Sequence, residues 1–164
     1  MKRAALPVIS ILLLLIGCAP APMDVIPLSV PDFRFVEKSD RVDMPFDGVQ
    51  FWAYSLFEPK VGSRFQGKVL NLEVRVHQCR NETDAEKIFL AFAGTGTTQE
   101  QVIIGSIKAT LCYDEDFGET SVVWRVGSLV ILSSAIPLFK ATTFDEQTLK
   151  DAAFEGARAA TRNI

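Results

Sequence analysis

Histidine is nearly absent from this 164-residue chain, with His77 its one imidazole. That scarcity removes most metal and acid–base chemistry. A closed zinc site takes about four ligands, and a hydrolase triad needs a histidine aligned with a nucleophile and a carboxylate. No G-x-S-x-G turn is present to offer that nucleophile. Cysteine is scarce too: there are three, and none forms a C-x-x-C pair of the redox type. Gly94-Thr95-Gly96-Thr97-Thr98 lacks a P-loop lysine and follows a helical stretch, so it reads as a helix stop and loop. Long apolar runs are also missing. The stretch at residues 4–16 is short of the ~20 residues a bilayer span needs, and Pro7 interrupts it.

That short run lies behind Lys2 and Arg3 and ends in Leu15-Ile16-Gly17-Cys18. A basic start, an apolar segment and small residues before the cut are the parts of an export signal. The ending resembles the lipobox of bacterial lipoproteins, which are cleaved before a cysteine that becomes acylated. The resemblance implies a signal peptide over residues 1–17 and lipidation of Cys18. It also implies an extracytoplasmic protein anchored to the cell membrane or outer membrane. Ala19 in place of aspartate resembles the pattern sorted to the outer membrane in diderm bacteria. Two or three acyl chains hold a protein stably where one is marginal. Losing Lys2 and Arg3 takes the formal charge from −3 to −5. An acidic domain lacks the cationic field that condenses on nucleic acid or anionic lipid. The expected membrane contact is therefore the lipid alone, and no nucleic-acid partner is expected.

With Cys18 assigned to lipid, Cys79 and Cys112 remain as an even pair in an oxidising compartment, where a disulfide is the default. Two buried free thiols are the alternative. A bridge over this 33-residue span would stabilise the fold by roughly 3–4 kcal/mol on the chain-entropy model. It would also favour two adjacent parallel strands joined by a helical crossover.

Prolines at positions 20, 22, 27 and 31 predict an extended tether over residues 18–31, reaching up to roughly 40 Å. Residues 32–164 then form a single domain. Residues 49–57 predict a strand with apolar side chains on both faces. In residues 69–77, Leu70, Leu72, Val74 and Val76 alternate with Asn71, Glu73, Arg75 and His77, which predicts a strand with one buried and one wet face. Thr83 with Glu86 has capping-box spacing, and Ala85, Ile88, Phe89 and Phe92 make one apolar stripe before Gly94. Asn81 reads as the start of that helix. Strands are predicted at 107–113, 120–126 and 129–134, the last two flanking a Gly127-Ser128 hairpin turn. A second capping box, Thr143 with Glu146, opens a helix whose small face holds Leu149, Ala152, Ala153, Gly156, Ala157 and Ala160. The order predicts an α+β fold, two main helices packed on a mostly antiparallel sheet.

The helix start at Asn81-Glu82-Thr83, the Trp124-Arg125-Val126-Gly127-Ser128 hairpin and the alanine-rich closing helix resemble small extracytoplasmic domains of bacterial lipoproteins. The likeness spans residues 74–164 and brings no catalytic residues. His77, by parity, belongs to the wetter face. The acidic run Asp114-Glu115-Asp116-Phe117-Gly118-Glu119 lacks the ligand spacing and closing glutamate of a calcium loop and reads as a solvated hairpin. The aromatic strand leaves two readings open: core packing, or an apolar groove lined by Phe51, Trp52, Tyr54 and Phe57. The expected protein is a non-catalytic binding or envelope-support lipoprotein with no cofactor, whose partner is another envelope protein. The alternative is a carrier of a lipid or small apolar ligand in that groove.

Overall fold

The computed structural model describes residues 21–41, 46–138 and 145–164, so Cys18, the lipobox and Thr143 lie outside it. The described elements run α1 (Pro22–Val25), β1 (Phe33–Arg41), β2 (Val49–Pro59), β3 (Val69–Cys79), α2 (Glu82–Ala93), β4 (Thr98–Ile104), β5 (Ile107–Tyr113), β6 (Thr120–Val126), β7 (Leu129–Pro137) and α3 (Glu146–Thr161). The strands form one sheet in the order β1-β2-β3-β7-β6-β5-β4. Every neighbouring pair is antiparallel. The class is α+β. After the β1–β3 meander, α2 carries the chain to the far edge, and β4 to β7 return until β7 pairs with β3.

Strand parity divides the core. Leu72, Val74 and Val76 of β3 join Trp124, Ile131 and the α3 residues Leu149, Ala153 and Ala157 in the larger cluster. Cys79, Val123, Val130 and Leu132 join Ala85, Ile88 and Ala93 of α2 in the second. α2 thus belongs to one side of the sheet, and α1 and α3 to the other. Asn81 caps α2 by accepting a hydrogen bond from the Asp84 N–H at 2.9 Å, one residue before the helix begins. Asn81→Ala should therefore cost about 1 kcal/mol in a denaturant melt; an unchanged midpoint would deny the cap a role. The last helix is capped by Asp145, which accepts from the Thr148 N–H at 3.2 Å.

Two expectations are corrected here. The cysteines are buried free thiols instead of a bridge. β3 and β5 are neither parallel nor adjacent, since β7 and β6 lie between them, a lateral gap of about 14 Å at ~4.8 Å per strand. Along the register Cys112 lies level with Ser121, Ser134 and Glu73, six residues from Cys79. A disulfide needs Cα atoms within about 7 Å. Burial raises the Cys112 thiol to about 11 and, ahead of the nearby Asp84 charge, also raises that of Cys79. Such thiols resist oxidation, so reductant should leave the melting temperature unchanged. Mass analysis without reductant should find two thiols that alkylate only on unfolding; a bridged species would contradict the topology.

The extended path expected over residues 18–31 is not followed from Pro22 onward. Pro22–Val25 forms a helical turn with proline at its start, where a missing N–H costs nothing. Val25 and Val30 are fully buried and Ile26 nearly so, because three aliphatic side chains gain more from the core than from an extended path through water. Asn163 Nδ2 donates to the Val25 carbonyl at 3.2 Å, tying this turn to the end of α3. The folded unit begins near Pro22, ten residues before the expected boundary at position 32.

Candidate functional site

The α2 side of the sheet carries the polar rows. His77 is paired across from Trp52 on β2 and Val130 on β7. Arg75 lies between Tyr54 and Leu132, and Glu73 between Leu56 and Ser134. Ser134 continues into Ser121 and Cys112. The helix covers one part of this surface. The other part opens into a hollow of about 300 Å³ bounded by Arg75, Phe92, Cys112, Phe117, Glu119 and Ser121.

His77 shares the parity of Arg75 and Glu73, but it is buried, with 2% of its surface exposed. Its cover comes from other elements. The Trp52 ring is stacked on it at 5.9 Å and Phe92 of α2 lies at 5.0 Å. Phe46 approaches edge-on at 6.3 Å. Neither ring nitrogen has a hydrogen-bond partner among the described residues. Burial, reinforced by the Arg75 charge, lowers its pKa to about 4. Among the described residues, the rings of Trp52, Phe92 and Phe46 surround the neutral imidazole.

Arg75 is held by Glu73 in a two-pronged ion pair, Nε to Oε1 at 2.7 Å and Nη2 to Oε2 at 2.6 Å. That hydrogen-bonded partner raises the guanidinium pKa. The pair neutralises the floor of the hollow, while Asp114 and Glu119 remain on its wall. Ser121 and Ser134 share a hydroxyl–hydroxyl bond at 2.8 Å. Phe117, 73% exposed, stands at the hairpin tip. Asp114 Oδ1 accepts the Asp116 and Phe117 N–H groups at 2.9 and 3.1 Å, so the acidic run is a turn organised around its first carboxylate. Gly118, with φ of 69°, turns the chain back. No group of three His, Cys, Asp or Glu is arranged for a metal among the described residues. The hollow presents carboxylate and hydroxyl oxygens above the Arg75–Glu73 pair, with an aromatic edge at Phe117.

The four aromatics expected to line one groove do not share a face. Phe57 is fully buried in the α3-side core, and Phe51 packs against that core. Trp52 packs against the α2-side cluster, stacked on Tyr54 at 5.7 Å. Tyr54 donates its hydroxyl to Glu37 Oε1 at 2.7 Å. The hollow is not legible in the sequence as a unit, because its walls come from β3, β5, β6, β7 and the end of α2. The exposed Phe117 inside an acidic run was the one local signal.

No family model matches the chain, and no curated protein matches it. A solved structure of a GTP binding regulator from Thermotoga maritima is similar at 14% identity and a TM-score of 0.44. The match covers 78% of this chain and 82% of that one. At that score nothing is carried across.

Proposed function

We propose that the chain is a lipid-anchored, extracytoplasmic, non-catalytic module that binds another envelope protein through the hollow beside Phe117. The lipobox at Leu15-Ile16-Gly17-Cys18 supports the anchor and the compartment. The observation that carries the binding role is the hollow itself, where the half-buried Asp114 and Glu119, the latter accepting from the Ser121 hydroxyl at 3.2 Å, line a wall above the paired Arg75 and Glu73 beside an exposed phenylalanine. Such a surface takes a basic or amide-rich segment: carboxylates accept its N–H groups, and Phe117 covers its aliphatic stem. The carrier alternative has less support, since β2 sends Phe51 and Phe57 to the opposite side from Trp52 and Tyr54.

A photo-reactive amino acid in place of Phe117, in the full lipidated chain in cells, should form a discrete adduct. Glu119→Lys in the same background should abolish it by reversing the wall charge. Absence of an adduct, or one indifferent to Glu119→Lys, would count against the surface. Normal processing of Cys18→Ser would separately remove the lipid anchor.

A further inference from the structure

The core-packed start of the chain changes what an anchor does to the domain. This step rests on the lipoprotein reading above. Between Cys18 and Pro22 stand only Ala19, Pro20 and Ala21, so the distance from the acylated residue to α1 is at most about 14 Å. Pro22 and Val25 are buried, and the Val25 carbonyl accepts from Asn163, two residues past the end of α3. The acyl chains therefore enter the bilayer beside this corner of the fold. A tether of that length is shorter than the domain is wide, so it selects which face meets the lipid.

That face has the right chemistry. Leu28 is 63% exposed, and Arg162 and the half-buried Lys38, whose amine also donates to the Met23 carbonyl, line the same open hollow as Leu28 beside α1. Asp24 is the acid among these lining residues, so cations outnumber it within a chain that is acidic as a whole. Ile164, next to Asn163, is also exposed. An apolar side chain flanked by Lys and Arg is the pattern of a surface that settles into the headgroup layer, with the cations on anionic lipid. We infer that the face formed by α1 and the end of α3 rests on an anionic lipid surface. The α2 side, with the Phe117 hollow, then points away from the membrane toward partners. The acidic composition forbids adhesion over the whole surface, and the short tether removes the need for it.

The test places a fluorophore on the full lipidated chain at Leu28→Cys or at Leu90→Cys. Leu90 is 57% exposed on α2, on the other side of the sheet. The native thiols at Cys79 and Cys112 are buried and stay unlabelled. On phosphatidylglycerol-containing vesicles with a nitroxide on the headgroup, quenching should be several-fold stronger at position 28 than at 90. In the double variant Lys38→Glu, Arg162→Glu the difference should shrink. Equal quenching, or stronger quenching at 90, overturns the proposed face while leaving the anchor intact. A chain that fails to float with the vesicles refutes the anchor and this inference with it.

Discussion

Replacing His77 with phenylalanine or leucine should flatten the acid limb of the domain's stability between pH 6.5 and 4. In the native state burial holds this imidazole at about 4, against 6.5 for the free side chain. Between those values the unfolded chain binds a proton that the folded chain refuses. Stability attributable to His77 is thus fully present above pH 6.5 and falls as pH drops through the window, by about 3 kcal/mol at the bottom. The charged group nearest in effect is Arg75, whose like charge works with burial. Carboxylates act lower: bonds from Thr148 and Lys68 hold Asp145 at about 2, so its contribution is lost only below its ordinary value near 3.8. Denaturant melts of both variants, taken in half-unit steps from pH 7.5 to 4, separate these windows. A wild-type limb that persists in both would mean that other groups titrate there. At neutral pH the variants should match or exceed the parent, since two unpartnered ring nitrogens leave the core.

The same residue shows where sequence periodicity stops. Parity assigned His77 to the side of Asn71, Glu73 and Arg75, and it is there; what parity omits is the roof. Phe92 and Phe46 are 15 and 31 residues away in the chain, so the burial of His77 depends on tertiary placement alone. Interior strands were legible because burial forces a pattern on them: β5 and β6 begin and end at the expected residues. The two edges were not expected. β1, Phe33–Arg41, carries charges through its length, and β4 opens with Thr98, Gln99, Glu100 and Gln101. An edge strand needs only one good neighbour and gains solubility from polar side chains, so it presents little hydrophobic alternation. The cysteine pairing failed for a topological reason. Sequence proximity through α2 suggested adjacent strand ends, but α2 carries the chain across the full width of the returning meander, and two strands separate the thiols. The hollow beside Phe117 was hidden for the same reason, since five elements contribute to it.

Gly156→Ala should destabilise the domain, although alanine in a helix interior is worth about 1 kcal/mol over glycine. A Cβ at Gly156 would lie 2.3 Å from Ser133 Oγ and 3.2 Å from both Leu72 Cδ1 and Val74 Cγ2. Ser133 is fully buried and donates to the Ala153 carbonyl at 2.8 Å. Turning its hydroxyl aside would break that bond and leave a buried donor unmet, a loss of about 1–3 kcal/mol. Moving α3 away instead would open the contact that Ala152, Ala153 and Ala157 make with the sheet. Set against the propensity gain, either response leaves Gly156→Ala with a net loss of up to about 2 kcal/mol, and Gly156→Leu should lose more than about 3 kcal/mol. The steric origin has its own check. In a Ser133→Ala background the atom at 2.3 Å is gone, and Gly156→Ala should then cost at least 1 kcal/mol less, a coupling of the size contacting residues show. Should Gly156→Ala raise the denaturation midpoint in the parent chain, the close seating of α3 on β3 and β7 would be wrong. The small-residue stripe on α3 sets how near the helix comes to the strands, and Gly156 marks its closest approach to Ser133.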